Sequence, residues 1–179
     1  MPAKLITTDR IRAGCNIIRW RGWMHNPVNI IQHSNNVARA ILLMTGDKVL
    51  ARAGLVHDLH ETEYVGDVPT PDKARYMNSL YDEHVYNFDT AIAQEARIPT
   101  MLNYSGIGVI RWCHHETLRA ADRAAAIVEN RFYSARPDPT MTKFNDTVIW
   151  HAKMREIYAE SFTINHSEEW WELWDMTNA

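Results

Sequence analysis

The chain has 179 residues, which suits one domain built around one core. Hydrophobic residues make up 46% of it and charged residues 23%, close to the averages for globular proteins. A formal net charge of −3 argues against a surface that holds a long nucleic-acid backbone. A pocket for a small phosphorylated ligand remains compatible with this charge, because one pocket needs only a few lysines or arginines.

The cysteines and the N-terminal segment favour an intracellular location. Cys15 and Cys113 form neither a CxxC motif nor the spacing of a zinc–thiolate site, and we expect both thiols to be reduced. The segment MPAKLITTDR lacks a long apolar run, and no stretch approaches the ~20 apolar residues of a membrane span. We therefore expect a cytoplasmic protein that has neither a membrane nor a nucleic-acid polymer as a partner.

Long segments with helical apolar spacing, little glycine and short turns between them predict an all-α bundle. Thr8 and Asp9 can cap the first helix. Pro69 and Pro71 exclude a continuous helix over residues 65–71. We expect one domain over residues 1–179 with about six to eight helices, the C-terminal ones included. The predicted segments lie at about 8–20, 32–46, 49–64, 72–96, 105–133, 140–161 and 167–176.

An adjacent histidine and aspartate, His57 and Asp58, carry the clearest chemical signal. Glu61 follows about one turn later, His33 lies upstream on the buried face of a predicted helix, and Asp122 lies downstream. Neighbouring helical side chains point about 100° apart, so both can reach one ion only if it lies between them. Two imidazoles and two carboxylates suit Mn, Fe, Co, Ni or Zn better than Mg or Ca. Glu61 would then remain as a proton carrier.

Each of these residues has a plainer interpretation when it is taken alone. A histidine on an apolar helical face, such as His33, is commonly a hydrogen-bonded core residue. An adjacent pair such as His57 and Asp58 often arises by chance. Asp122 stands among alanines and could be a solvated or arginine-paired carboxylate. Their joint occurrence in this order favours the metal site.

The order His33, His57-Asp58, Asp122 resembles the H…HD…D signature of the HD-domain metal-dependent phosphohydrolases. The resemblance implies an HD-type helical bundle in which these four residues bind one divalent transition metal, with Co, Mn or Zn expected. It also implies that Glu61 passes a proton between water and the leaving group. Relatives in this family associate into dimers or hexamers, so a homo-oligomer is expected.

A longer motif narrows the resemblance. The residues HDLHE at 57–61 and GDVPTPDK at 66–73 are similar to the HDxxE…GDxPTPxK stretch of the YfbR-type 5′-deoxynucleotidases and of the phage DatZ-type dATP triphosphohydrolases. Arg19-Trp20 matches an RW dipeptide of the same group. The similarity covers residues 10 to about 135 and leaves the tryptophan-rich C-terminal segment unmatched.

The resemblance implies a set of substrate contacts. Arg19 and Lys73 occupy positions that bind phosphate in the resembling enzymes. Trp20 and Pro71 would form the walls of a nucleobase slot, and Asp67 would contact the sugar in a neighbourhood that disfavours a 2′-hydroxyl. Each of these residues, taken alone, has the plainer interpretation of a surface charge, a core side chain or a loop residue.

Two positions depart from the family pattern. Four residues separate Glu61 from Gly66, where the family usually has three, which affects the placement of Asp67 and Lys73. Gln32 precedes His33, where glutamate is common. We expect the second departure to change only a contact outside the metal ligands.

The resemblance implies a hydrolase of 2′-deoxynucleotide 5′-phosphates. The short chain favours a DatZ-type activity, which releases triphosphate and deoxyadenosine from dATP. This activity can extend to dADP and dAMP. In phages with modified adenine it depletes dATP. The alternative is a YfbR-type enzyme that cleaves deoxynucleoside monophosphates. Two further alternatives remain. A non-catalytic nucleotide sensor should lack one or more of the metal-ligating residues, and an oxygenase would need a second metal.

Overall fold

Seven α-helices and one β-hairpin make up the part of the chain described by this computed structural model, residues 4–20, 23–63, 79–104, 108–138, 141 and 147–179. The predicted all-α class is confirmed. The helices and strands are α1 (Thr8–Gly14), α2 (Ile30–Thr45), α3 (Lys48–Val56), α4 (Ser79–Glu95), β1 (Met101–Tyr104), β2 (Gly108–Arg111), α5 (Glu116–Val128), α6 (Val148–Ser161) and α7 (His166–Asn178). Two 3₁₀ turns (Leu59–Thr62 and Trp112–His114) and a π-helical turn (Glu129–Tyr133) complete the described elements.

Helix α2 is the central element of the bundle. The Asn29 side chain caps its first turn by accepting from the Gln32 backbone N–H, and Gly46 ends the helix in the left-handed conformation with φ +70°. Its buried residues lie on all sides of the helix rather than on one stripe, and it packs against α3, α5, α6 and α7. His33 in its first turn is therefore enclosed by protein.

Hydrogen bonds offset the desolvation cost of the polar side chains that α2 buries. The Gln32 amide donates to Ser161 Oγ at 2.9 Å, and the Asn36 amide donates to the same oxygen at 3.3 Å. The Asn35 amide donates to Glu169 Oε2 at 2.9 Å. The bond from Gln32 therefore ties α2 to α6.

A glycine allows α3 to approach α2 closely. A Cβ atom added at Gly54 would lie 3.2 Å from the backbone of Ala38 and 3.2 Å from a Val37 methyl carbon. This close approach brings the rings of His33 and His57 to a centroid separation of 5.3 Å. The spacing of the two histidines therefore depends on the absence of a side chain at position 54.

Gly54→Val is expected to lower the free energy of unfolding by about 1–3 kcal/mol, because the added methyl groups overpack a backbone contact. Urea denaturation would measure the change. Leu43→Val places the same β-branched residue on the exposed face of α2, where only helix propensity is affected, at a cost below about 0.7 kcal/mol. A Gly54→Val protein as stable as the unsubstituted chain would contradict the close packing.

The first predicted helix is shorter than expected. It was predicted to run to about Trp20, but α1 ends at Gly14. Ile18 forms an antiparallel bridge with Asn29, and the Arg19 backbone N–H donates to the Val28 carbonyl at 2.8 Å. The chain doubles back on itself here, and these pairings replace helical hydrogen bonds.

The prediction of one helix over residues 105–133 is wrong in its first part. Strands β1 and β2 pair antiparallel, with Met101 opposite Arg111 and Leu102 opposite Ile110. Val109 and Ile110 favour strand geometry, and Gly106 and Gly108 weaken a helix. The α-helical part covers only Glu116–Val128 and is followed by the π-helical turn.

The C-terminal helices pack against the same core. Helix α6 begins at Val148, later than the predicted 140, and α7 agrees with its prediction within two residues. The Trp170 indole is fully buried, donates to the Leu55 carbonyl at 3.1 Å and stacks on Trp174. The tryptophan cluster therefore anchors α7 to α3. No helix within the described ranges has the length and apolar character needed to span a bilayer.

Candidate metal centre

The end of α3 places the His57-Asp58 pair. The helix was predicted to continue to Tyr64, but it ends at Val56, and the His57 ring Nδ1 donates to the Gly54 carbonyl at 2.8 Å. Asp58 leaves helical geometry with φ −104° and ψ 7°. This break lets both side chains turn towards α2, because they no longer diverge as neighbours on a regular helix do.

Four ligand atoms from three parts of the chain converge at this break. His33 Nε2 lies 3.0 Å from Asp122 Oδ1 and 3.7 Å from Asp58 Oδ2. His57 Nε2 lies 3.3 Å from Asp58 Oδ2 and 3.7 Å from Asp122 Oδ1. The structure thus brings together all four residues that the sequence suggested as metal ligands.

The spacing of these atoms fits a single ion. Ligand bonds of about 2.0–2.2 Å place neighbouring ligand atoms about 3.0–3.4 Å apart. The contributing atoms of His33, His57 and Asp58 all lie within 4.8 Å of one another. Asp122 is not part of this mutually close group, but its Oδ1 lies 3.0 Å from His33 Nε2 and 3.7 Å from His57 Nε2. His57 Nε2 is buried and has no hydrogen-bond partner of acceptable geometry in the described part of the chain. A metal ion would satisfy this nitrogen.

Charge at the site also favours a divalent cation. The carboxylates of Asp58, Asp122 and Glu129 supply three negative charges, and Arg19 supplies one positive charge, which leaves −2 when the histidines are neutral. Burial disfavours the charged imidazolium of His57, yet Asp58 and Asp122 outweigh it and raise the pKa of His57 to about 9. A divalent ion would replace the protons that these histidines otherwise hold.

The centre is closed on one side and open on the other. His33 is fully buried, His57 and Asp58 are nearly so, and the Asp122 side chain is 38% exposed. A ligand would therefore reach the site from the Asp122 side. Partial burial raises the pKa of Asp122, but hydrogen bonds from His33 and His57, together with the positive charge of the two imidazoles, outweigh this cost and hold the pKa of Asp122 well below its usual range.

Glu129 is a site residue that the sequence analysis missed. It is fully buried in the π-helical turn, and its Oε1 lies 2.7 Å from His33 Nδ1. Burial raises the pKa of Glu129, but Arg19 and His33 outweigh it and lower the pKa to about 2. The available signal was its spacing: Glu129 follows Asp122 by seven residues, two helical turns, so both lie on one face.

Arg19 and Trp20 lie beside the ligand set, as the sequence suggested. Arg19 Nη1 donates to Asp58 Oδ2 at 3.0 Å and its Nε donates to Glu129 Oε2 at 2.9 Å. The Trp20 indole N–H donates to the same Glu129 oxygen at 2.8 Å. Trp20 has φ +56°, a conformation that costs energy in a bulky residue and is often found at functional sites.

Glu61 lies one 3₁₀ turn after Asp58. Its backbone N–H donates to the Asp58 carbonyl at 3.0 Å, and its side chain is buried. The next residues face outward, since Glu63 pairs with Arg10 at 2.7 Å. His60 Nδ1 lies 3.4 Å from Asp89 Oδ1.

Asp67, Pro71 and Lys73, the remaining substrate contacts suggested by sequence, lie outside the described residues and stay predictions. No family model, curated protein or solved structure matches this chain. The case for a function therefore depends on the geometry of the site and on the sequence motif.

Binding of Co²⁺, Mn²⁺ or Zn²⁺ is expected to stabilise the fold by about 2.7 kcal/mol at a free ion concentration one hundred times Kd. Mg²⁺ should stabilise it less, since nitrogen ligands suit it poorly. Thermal unfolding with each ion and with EDTA would measure the shift. Equal melting temperatures with Co²⁺ and with EDTA would contradict the metal centre.

The stabilisation by metal should grow as the pH rises from 6.5 towards 9. The raised pKa of His57 stabilises the metal-free fold below pH 6.5, and this contribution is lost as the pH approaches about 9. Metal binding needs neutral His57 and gains affinity over the same range. A metal-dependent shift that falls with rising pH would contradict this assignment.

Proposed function

We propose that this chain is a metal-dependent hydrolase of 2′-deoxynucleotide 5′-phosphates. The convergence of His33 Nε2, His57 Nε2, Asp58 Oδ2 and Asp122 Oδ1 carries the proposal. These residues would hold one Co, Mn or Zn ion. Such an ion lowers the pKa of a bound water and neutralises phosphoryl charge, the two obstacles to attack on a phosphate ester.

The motif implies roles for the surrounding side chains, and the contacts of Arg19 and Trp20 support theirs. Glu61 carries a proton from the attacking water to the leaving oxygen. Arg19, held against Asp58, presents a fixed positive charge beside the ligand set and can attract a phosphoryl group. Trp20 supplies an aromatic surface for a nucleobase, and such stacking contributes about 1–3 kcal/mol. The opening at Asp122 provides the path for substrate.

Within this class we propose dATP as the preferred substrate, cleaved to deoxyadenosine and triphosphate. The length of the sequence, close to that of the phage DatZ-type enzymes, supports this choice, whereas the motif GDVPTPDK does not separate the two subclasses. The same motif occurs in YfbR-type 5′-deoxynucleotidases, which makes deoxynucleoside monophosphates the alternative substrates. Both choices use the same metal centre and the same proton carrier.

A substrate panel tests the proposal. The Co²⁺-loaded protein is incubated with the four dNTPs, with dADP and dAMP, with the other monophosphates and with ATP. Release of triphosphate from dATP, with little turnover of ATP, is expected. Turnover of all the deoxynucleoside monophosphates and of no triphosphate would contradict dATP as the preferred substrate and support the YfbR-type activity. Absence of hydrolysis of every compound, in protein shown to bind Co²⁺, would contradict the proposed function.

A further inference from the structure

The two carboxylate oxygens of Glu129 bond to two different groups of residues. Oε1 accepts from His33 Nδ1 at 2.7 Å and from the Tyr158 hydroxyl. Oε2 accepts from Arg19 Nε at 2.9 Å and from Trp20 Nε1 at 2.8 Å. One oxygen therefore faces the metal ligands, and the other faces the residues proposed to contact substrate.

On the metal side, Glu129 fixes which nitrogen of His33 carries the proton. The carboxylate can only accept, so His33 Nδ1 must donate. In the neutral imidazole, the lone pair is then on His33 Nε2, the nitrogen beside Asp122 and Asp58, where it is available to an ion. A carboxylate that orients a ligating histidine in this way also increases the basicity of the ligand nitrogen.

On the substrate side, Glu129 fixes two groups that would otherwise move. The bond from Arg19 Nε orients the guanidinium so that Nη1 reaches Asp58. The bond from Trp20 Nε1 holds the indole, whose backbone has the unfavourable φ of +56°. Because Glu129 is fully buried, water cannot replace these bonds.

We infer that Glu129 is a positioning residue that aligns the metal ligand His33 and the substrate-side residues Arg19 and Trp20 at the same time. Its location supports this role, since it begins a π-helical turn, a feature often found at functional sites. The substrate half of the inference rests on the proposed function. The metal half does not, because it concerns only the affinity for an ion.

The variant Glu129→Gln tests the inference. An amide has one oxygen and one NH₂ group, so it cannot accept from all four donors. We expect Co²⁺ affinity, measured by competition with a chelator and by the visible absorption of bound Co²⁺, to fall about 10–100-fold. At saturating Co²⁺, the KM for the deoxynucleotide should rise about tenfold or more.

Glu169→Gln is the matched control. Glu169 is also a buried carboxylate, but it bonds to Asn35 and Arg39 away from the metal ligands. This variant should lower the melting temperature without changing Co²⁺ affinity or KM. Unchanged Co²⁺ affinity in a folded Glu129→Gln protein would overturn the inference. If Glu129→Gln loses Co²⁺ affinity but the unsubstituted chain hydrolyses no nucleotide, the proposed function is contradicted. The part of the inference that concerns His33 and the metal would still hold.

Two further variants keep the test decisive if Glu129→Gln does not fold. Tyr158→Phe removes one donor from the oxygen that holds His33 and should change Co²⁺ affinity by about threefold to tenfold, the scale of one hydrogen bond. Trp20→Phe removes one donor from the other oxygen and should change KM by a similar factor while Co²⁺ affinity is retained. The reverse pattern, or no change in either variant, would overturn the inference.

Discussion

His57→Ala is expected to abolish metal binding at the site and, with it, hydrolysis. His57 Nε2 faces the carboxylates of Asp58 and Asp122, and its other nitrogen is held by the Gly54 carbonyl. No other described side chain at the break after α3 offers a nitrogen in this position. Changes that only disturb the orientation of a ligand cost about 10–100-fold in affinity, so removal of the ligand itself should cost more.

Calorimetric titration with Co²⁺ would measure this loss, and the hydrolysis assay would follow it. His60→Ala is the matched control, because His60 lies three residues away and contacts Asp89. That variant should keep both metal binding and turnover at temperatures where it is folded. Retained high-affinity Co²⁺ binding in His57→Ala would contradict the ligand assignment.

Glu61→Gln is expected to slow hydrolysis by about 10²–10⁴-fold, the usual contribution of a positioned acid–base group. The amide keeps the size and burial of the side chain but cannot take up a proton near neutral pH. Metal binding should be unchanged, since Glu61 is not among the converging ligand atoms. Single-turnover rates at saturating Co²⁺ separate the proton-transfer effect from a binding effect.

Glu63→Gln provides the comparison for this variant. Glu63 lies two residues further on, is half-exposed and pairs with Arg10 at the surface. The Glu63→Gln variant should hydrolyse substrate at the rate of the unsubstituted chain. A Glu61→Gln protein of full activity would show that another group carries the proton.

The sequence predicted the convergence of His33, His57, Asp58 and Asp122 from their order in the H…HD…D motif, whereas their binding of a metal stays a prediction. Each residue alone is a weak signal, so the prediction depended on their joint order and on the resemblance to the HD-domain motif. The helical class followed from apolar spacing in the same way. The predicted end of α3 at Tyr64 was wrong, and the earlier end at Val56 is what lets His57 and Asp58 turn towards α2.

Glu129 and the hairpin were not predicted, for two physical reasons. The role of Glu129 arises from partners on α2, on α6 and in the turn before α2, and its seven-residue spacing from Asp122 does not reveal these long-range contacts. Strands β1 and β2 are only four residues each, so the helical pattern that follows them dominated the interpretation. The end of α3 was missed because a side-chain bond, from His57 to the Gly54 carbonyl, decides it.

Anomalous diffraction at the zinc edge, from crystals grown with Zn²⁺, tests the metal centre most directly. We expect one strong peak within bonding distance, about 2.0–2.2 Å, of His33 Nε2, His57 Nε2, Asp58 Oδ2 and Asp122 Oδ1. Glu129 should remain bonded to His33 Nδ1 in the same crystals. Absence of a peak among these four residues would contradict the metal centre.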